Sequence, residues 1–121
     1  MSTLSTAARN AACDAVNALL DGGGYIEFQD VSNAEIAKLP FSATAFGAAV
    51  AGVATANAIT SDVTTQAGTI TQAFYKSVAD AVIVTVTVGL VGSGADIELT
   101  GLTYALNEEL KINSATRTQP A

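Results

Sequence analysis

The first twenty residues follow the period of an amphipathic helix. At 100° per residue, small apolar residues share one side of the helix and polar residues share the other. The apolar side holds Leu4, Ala8, Ala11, Ala12, Ala15 and Leu19, and the polar side holds Thr6, Asn10, Asp14, Asn17 and Asp21. Ser5 is a suitable N-cap, and Gly22 to Gly24 suit a helix end because glycine readily adopts the left-handed conformation. We therefore predict a helix over about 5–20, which covers one face of the rest of the fold or docks onto a neighbour.

After the glycines the hydrophobic period changes from 3.6 to 2, which indicates strands with one buried face. YIEFQ (25–29) alternates in this way, and in DIELT the side chains of Ile97 and Leu99 are predicted to point inward. The clearest strand is VIVTVTVG (82–89), where one face carries only valines and is predicted to lie in the core. That valine face comprises Val82, Val84, Val86 and Val88.

Further strands are predicted from weaker alternation at 35–41, 49–59 and 69–78, and a hairpin is predicted at 102–112. In this hairpin Leu102, Tyr104 and Leu106 face Leu110 and Ile112 across a turn at Asn107 and Glu108. Several short strands after a single helix indicate a mainly β fold, an antiparallel β-sandwich with jelly-roll-like topology. We predict one domain over 1–121, with the helix at 5–20, the sandwich at 25–113 and a C-terminal arm at 114–121.

Composition narrows the possible partners. Only 13% of the 121 residues are charged, the formal net charge is −6, and the five basic residues are scattered along the chain. Nucleic-acid binding is therefore not expected, because no basic stripe exists to neutralise phosphates. No apolar run approaches the length of about 20 residues that spans a bilayer, and the N-terminus lacks the features of a secretory signal. We expect a protein that is made in a cytosol and has no membrane partner.

The residues that usually carry catalysis are scarce. Histidine is absent, which excludes Ser-His-Asp and Cys-His catalysis, and Cys13 is the single cysteine, predicted to lie at the edge of the core. Asp96 and Glu98 share a strand face but lack an aromatic cleft, so we interpret them as solvent-facing. Asp62 is interpreted as a turn residue because no dense oxygen-ligand pattern surrounds it. The glycine-rich stretch 89–96 precedes a strand, not a helix, so it does not suit a nucleotide site. We predict no catalytic, cofactor-binding or metal-binding residue, and no enzyme.

One stretch stands out for what it lacks. Residues 39–61 contain no ionisable side chain and are rich in alanine, glycine and threonine. Small side chains permit close approach and lose little entropy on contact, so such a stretch suits packing against identical copies or another shell of protein. We predict that five apolar side chains are divided between the core and this interface: Phe41, Phe46, Val50, Val53 and Ile59. The alternative is a core strand with an alanine-lined inner face.

Three segments together resemble a known family. They are STAARNAACDAVNALLD (5–21), FSATAFGAAVAGVATANAITSD (41–62) and VGSGADIEL (91–99), and they resemble small structural proteins encoded by tailed bacteriophages. In that family an Ala-rich helix opens the chain, F-x-x-x-A-F-G leads into an Ala/Thr strand ending in A-I-T-S-D, and G-T-S-G-A-D precedes a final strand pair. The segments cover a little under half of the chain. Residues 63–90 depart from the pattern, because the family tends to have a Trp-containing strand and a D-G turn there.

The resemblance implies a virion component without enzymatic activity, assembled in the host cytoplasm. Together with the charge-free stretch, it indicates a capsid decoration or cement protein that forms a homo-oligomer, such as a trimer, and binds the major capsid protein or other virion proteins. Two alternatives remain open. One is a tail, neck or fibre-associated virion subunit, and the other is a carbohydrate-binding β-sandwich module. The latter requires exposed aromatic side chains, for which only Tyr25, Tyr75 and Tyr104 are candidates.

Overall fold

The computed structural model describes residues 3–112 and 114–119. It contains one α-helix, α1, at Thr6–Ala18, with Leu19 as its C-cap. The backbone N–H of Ala8 donates a hydrogen bond to Ser5 Oγ at 3.2 Å, which satisfies one of the free amides of the first turn. Gly22 and Gly23 follow in left-handed conformations. The predicted N-cap is confirmed, but the helix ends before the glycines, and Leu19 is its C-cap where a glycine was predicted.

The rest of the described chain is mainly β-structure, as predicted. The strands are β1 (Tyr25–Gln29), β2 (Glu35–Pro40), β3 (Val53–Thr55), β4 (Gly68–Thr69), β5 (Gln72–Lys76), β6 (Val82–Val86), β7 (Val88–Leu90), β8 (Ile97–Leu99), β9 (Thr103–Tyr104) and β10 (Ser114–Thr118). The alternating pattern located β1 at its observed bounds and β2 within one residue of its end.

The strands form two four-stranded sheets and one short pair. The first sheet has the order β2-β1-β5-β6, the second has the order β3-β10-β8-β7, and β4 pairs with β9. All of these pairs are antiparallel except β7 with β8, which run parallel with Val88 opposite Ile97. Only the residues 91–96 join these two strands, which is a much shorter connection than the dozen or more residues that usually link parallel strands.

The hydrophobic core collects side chains from α1, from both large sheets and from the loops between them. Its largest fully buried members are Tyr75, Phe28, Leu20, Ile26, Ile36, Leu39, Ile70, Ile97, Leu99 and Leu110. Burying apolar area is the main favourable term in folding, at about 25 cal/mol per Å². The core therefore rests on a few large side chains, although alanine dominates the composition.

The valine-rich segment is two strands and not one. It changes sheets at Thr87, whose carbonyl accepts from the Ile97 amide, so that β6 ends the first sheet and β7 ends the second. A register shift between Tyr75 and Lys76 leaves Ile83 as an extra residue in β6. As a result Val86 is buried but Val82 is 52% exposed, so the predicted continuous valine face in the core is wrong at its first residue.

The predicted hairpin at 102–112 is also wrong. Thr103 and Tyr104 pair with Thr69 and Gly68 instead, and Leu110 forms a bridge with Asp62. Both partners are distant in sequence, so local alternation could not reveal them. Leu106, predicted to face inward, is 60% exposed.

The predicted C-terminal arm is largely a strand. β10 lies inside the second sheet, with Thr116 opposite Thr55 of β3 and Ala115 opposite Ile97 of β8. Its inward side chains are Ala115 and Arg117, and both are buried. A strand with one alanine and one arginine on its inner face has no hydrophobic alternation, which is why the pattern suggested an arm. Asn113, Pro120 and Ala121 lie outside the described residues.

Candidate interaction site in the charge-free segment

The charge-free segment, residues 39–61, contains all five predicted interface residues, and the structure separates them by depth. Phe41 and Phe46 are buried at 7% and 6% exposure. Ile59 is half-buried against the core. Val53 is 38% exposed, and Val50 projects into solvent at 74% exposure. The segment therefore has an inner part that belongs to the core and an outer part, around Val50, that is available for contact.

The inner part is anchored by three aromatic rings. Phe41, Phe46 and Tyr75 pack with centroid distances of 5.4 Å, 5.5 Å and 5.5 Å, in tilted and edge-to-face arrangements. The Tyr75 hydroxyl donates to the Thr116 carbonyl at 2.8 Å, which links the cluster to β10. Burial raises the pKa of this hydroxyl far above its ordinary value, so it remains a donor. The anchor joins the charge-free segment to both large sheets.

The outer part is a tight turn. The amides and carbonyls of Val50 and Val53 exchange hydrogen bonds of 2.9 Å and 3.0 Å, with Ala51 and Gly52 between them in left-handed conformations. A Cβ atom at Gly52 would lie 2.6 Å from the Arg9 guanidinium, so a larger residue would require Arg9 to move, and the left-handed conformation itself favours glycine. The predicted strand 49–59 is therefore confined to β3, and the chain before it folds back as a narrow hairpin.

Polar side chains of α1 hold this hairpin by its backbone. Asn10 Oδ1 accepts from the Gly52 amide at 2.8 Å, and Asp14 Oδ1 accepts from the Ala49 amide at 2.9 Å. Just beyond the helix, Asp21 Oδ1 accepts from the Ala45 amide at 2.8 Å. Three backbone amides of the charge-free segment are thus satisfied by carboxylate and amide oxygens from another part of the chain.

This contact turns the predicted apolar side of the helix largely toward solvent. The buried residues of α1 and its end are Cys13, Asn17 and Leu20, and on the predicted apolar side Leu4 is 43% and Leu19 is 58% exposed. Burying alanine methyl groups gains little, whereas an unsatisfied amide in a partly buried loop costs about 1–3 kcal/mol. The hydrogen-bonding requirement of the loop therefore outweighs the small hydrophobicity of the alanines. The expectation that the alanine side covers the β-structure is wrong.

Asn10, Asp14 and Asp21 are the site residues that the sequence reasoning missed. Two signals were available: these residues share one side of the helical wheel, and a segment of 23 residues without ionisable side chains needs acceptors from elsewhere. The wheel was interpreted by hydrophobicity alone. The hydrogen-bonding capacity of the polar side is a second physical criterion for deciding which side of the helix faces the protein.

Cys13, in the middle of α1, connects the helix to β10. It is fully buried, its Sγ donates to the Arg117 carbonyl at 3.6 Å, and Asn17 Nδ2 donates to the same sulfur at 3.5 Å. Arg9 Nε donates to the Gln119 carbonyl at 3.1 Å. The prediction of a core cysteine is confirmed. These contacts fix the helix relative to β10, and hence the acceptors relative to the Val50 turn.

Asp62 closes the charge-free segment on its C-terminal side. Its carboxylate accepts from the Lys38 amide at 2.9 Å, and from the Thr64 amide and hydroxyl at 2.7 Å and 2.9 Å. Burial alone would raise the pKa of Asp62, but these hydrogen bonds outweigh it and hold the pKa below its ordinary value. Its predicted role in a turn is confirmed.

The other acidic residues that were considered as catalytic candidates, Asp96 and Glu98, accept hydrogen bonds from backbone amides. Asp96 Oδ2 accepts from the Thr87 amide at 3.1 Å, and Glu98 Oε2 accepts from the Gly94 amide at 3.1 Å. Both contacts order the loop between β7 and β8. Over residues 3–112 and 114–119, no group of three or more His, Cys, Asp or Glu residues is arranged to hold a metal ion.

One polar cluster on the first sheet has perturbed carboxyl groups. Glu27 is buried and forms an ion pair with Lys76 at 3.1 Å. Burial would raise the pKa of Glu27, but hydrogen bonds from Gln29 and Lys76 and the lysine charge lower it. Burial and the neighbouring Glu27 charge raise the pKa of Glu35. The ion pair of Lys76 with Glu27 links β5 to β1, whereas the like charges of Glu27 and Glu35 repel each other between β1 and β2.

The tyrosines do not form an exposed aromatic platform, and two depressions beside the segment include ionisable side chains, Asp14 and Asp21 in one and Lys111 in the other. Tyr25, Tyr75 and Tyr104, the candidates for sugar stacking, are all buried. A third depression of 260 Å³ lies between residues 55–59 of the segment and Ile112, Ser114 and Ala115, and its described lining includes no ionisable side chain. This depression therefore suits apolar and uncharged polar contacts.

Comparisons with known proteins found no matching family model, no matching curated protein and no matching solved structure. In the part of the chain that the structure describes, no helix is both long enough and apolar enough to cross a membrane.

Proposed function

We propose that the protein is a structural subunit of a tailed-bacteriophage virion, a decoration or cement protein that binds the outside of the capsid shell. The fold proposed for it is a sandwich of the two four-stranded sheets with jelly-roll-like connections. Its partners are the major capsid protein and further copies of itself. The proposal takes its biological setting from the sequence resemblance and its mechanism from the charge-free segment.

The observation that carries the proposal is the turn at Val50. An exposed valine stands on a turn whose amides are held by Asn10 and Asp14 and whose base is anchored by Phe46. Such a turn is ordered before it meets a partner, so binding costs little conformational entropy. Its small side chains let a second backbone approach closely. These are properties of a contact surface in a repetitive assembly.

The mechanism is mechanical. Many copies bridge adjoining shell subunits, and each adds a modest apolar burial through Val50, Val53 and the exposed part of Ile59. At about 25 cal/mol per Å², a small contact is weak alone but strengthens a shell when repeated over a symmetric lattice. The net charge of −6 suits an exterior location because it repels nucleic acid.

The direct test is binding to undecorated phage capsids. Purified protein is mixed with capsids and pelleted, and the bound copies per particle are counted while the particles are imaged by cryo-electron microscopy. We expect saturation at a fixed stoichiometry, with density at symmetric sites and the Val50 turn at the contact. Absence of binding to capsids, with binding to tail tubes, would overturn the decoration role in favour of a tail or neck subunit.

A matched pair of variants locates the contact. Val50→Asp places a charge on the proposed surface, whereas Val31→Asp places the same charge on the β1–β2 turn, where Val31 is 82% exposed. We expect Val50→Asp to weaken capsid binding by at least about tenfold, and Val31→Asp to change it less than about twofold. Equal binding by both variants would contradict the proposed surface.

A further inference from the structure

The edges of the two large sheets differ in whether another part of the chain covers them. A sheet edge exposes unpaired N–H and C=O groups, and natural proteins usually cover it, shorten it or place charges on it. The first sheet ends at β2 and β6, and the second ends at β3 and β7. Each of these four edges can be examined for what covers it.

Two edges are covered by neighbouring loops. Along β2, Ile36 accepts from the Gln66 amide at 2.8 Å, Lys38 donates to Asp62 and Pro40 accepts from Thr60 at 3.2 Å. Along β3, Thr55 accepts from the Gly47 amide at 3.0 Å, and Val53 is paired with Val50. The outer backbone groups at both edges are therefore used within the chain.

The remaining two edges are open and continuous. β6 and β7 are consecutive, and within residues 3–112 and 114–119 no strand or bridge pairs with their outer sides. From Ala81 to Ala95 the sequence has no charged residue and no proline. Apolar side chains along and just beyond the edge are half exposed, at 52% for Val82, 50% for Leu90 and 53% for Val91. The edge thus lacks the charges, the proline and the covering segment that commonly prevent strand pairing.

We infer that this open edge is a docking site for a second copy of the same chain, which pairs β6 with β6 in antiparallel fashion about a two-fold axis. The first sheet would then continue across the contact as eight strands. The inference does not depend on the proposed function, since it concerns the isolated protein.

The choice of a second copy follows from edge availability and charge. Because the β2 and β3 edges are covered, the long edge that one copy can offer another is this one, so the contact is isologous and closes as a pair. In a pairing centred on Val84, Asp80 lies opposite Val88 of the other copy, so no carboxylate meets a carboxylate. Two copies, each with a net charge of −6, can therefore pair at this edge without placing like charges opposite each other.

The size of the contact predicts its strength. β6 has five residues, so strand pairing and the valines beside it bury less than the approximately 1,200 Å² typical of stable complexes. The pair should therefore be weak in dilute solution and favoured at high local concentration. We expect the dimer fraction to rise between about 10 µM and about 1 mM.

Sedimentation equilibrium across this concentration range, combined with hydrogen exchange, tests the inference. We expect the average mass to approach that of a dimer, and the amides of residues 82–86 to become more protected as concentration rises. Thr85→Lys should raise the dissociation constant at least about tenfold because the two lysines lie diagonally across the axis, and Val82→Lys should do so because it places a charged side chain against Val86 of the other copy. The control is Val31→Lys, at a valine that is 82% exposed and lies away from the edge, and it should change the dissociation constant by less than about twofold.

Three results would overturn the inference. The first is a monomer at every concentration, which would leave the edge to a strand from a different protein. The second is unchanged dimerisation in both edge variants, which would assign the contact to another surface. The third is growth beyond a dimer without a plateau. Circular dichroism of each variant verifies that a monomeric result does not arise from unfolding.

Discussion

The two longest stretches of this protein without ionisable side chains are residues 39–61 and 81–95, and their backbones are paired in opposite ways. In the first, backbone amides receive acceptors from Asn10, Asp14 and Asp21, and two phenylalanines enter the core. In the second, the strands β6 and β7 pair on one side and leave the other side open. The same composition thus produces a satisfied hairpin in one place and an unprotected edge in the other.

The difference teaches that a lack of charge does not by itself define an interface. What matters is where the backbone hydrogen bonds are made. In the first stretch they are made inside the chain, so contact with a partner there must use side chains such as Val50. In the second stretch they are available to a partner, so contact there can use the backbone. The following substitutions test this distinction, from the largest expected effect to the smallest.

The largest difference in the free energy of unfolding is expected between substitutions in the inner part and in the outer part of the first stretch. Phe46→Ala removes a buried ring from the aromatic cluster and should destabilise the protein by about 3–5 kcal/mol. Val50→Ala removes a side chain that is 74% exposed and should change stability by less than about 0.5 kcal/mol. Urea denaturation of both variants measures the difference. Similar losses for the two would mean that the turn is part of the core.

The carboxylate that ends the first stretch should have the next largest effect. Asp62→Ala leaves the Lys38 and Thr64 amides without their acceptor and should cost about 1–2 kcal/mol at neutral pH. Because the folded pKa of Asp62 lies below its ordinary value of 3.8, its stabilisation is present above that value and is lost as the pH falls through the folded pKa.

Denaturation midpoints between pH 7 and pH 2 verify this dependence. The stability difference between the wild type and Asp62→Ala should be constant above about pH 5 and shrink toward the acid end. Glu109→Ala, which removes an exposed carboxylate, is the control for the change in net charge. A difference that grows as the pH falls would contradict the lowered pKa.

The helix acceptors should each have a smaller effect. Asp14→Ala removes the acceptor of the Ala49 amide, which costs about 1–2 kcal/mol, and regains about 0.5 kcal/mol because alanine favours the helix. We expect a net loss of about 1 kcal/mol, together with faster hydrogen exchange at Ala49. Ala15→Ser, on the exposed side of α1, is the control and should leave exchange at Ala49 unchanged. Unaltered exchange in Asp14→Ala would show that the hydrogen bond does not hold the turn.

Local signals predicted the parts of this fold that depend on neighbouring residues. Ser5 predicted the start of α1, and alternation predicted β1, because caps and side-chain alternation act over a few residues. The orientation of α1 depends instead on the contact of Asn10 with Gly52, which is 42 residues away. No helical wheel contains that information.

The same reasoning explains the errors at the C-terminal half. β10 was missed because Arg117 occupies an inward position, where its guanidinium donates to the Thr118 carbonyl and to Gln119 Oε1. The split of the valine segment was missed because Thr87 looks like any other strand residue. Its change of sheet depends on Asp96, which accepts from both its amide and its hydroxyl. The candidate site was predicted as a segment, whereas its division by depth required the tertiary structure.

The smallest effect on stability is expected where the largest effect on association is predicted. Val82→Lys replaces a side chain that is 52% exposed on an open edge, so the free energy of unfolding of the monomer should change by less than about 0.5 kcal/mol. Measured at about 1 µM, where the protein is monomeric, the variant should unfold at the same urea concentration as the wild type. A decrease in the free energy of unfolding of more than about 1 kcal/mol would show that the edge is packed against its own chain. The two charge-free stretches would then be alike, since both would have their contacts within the molecule.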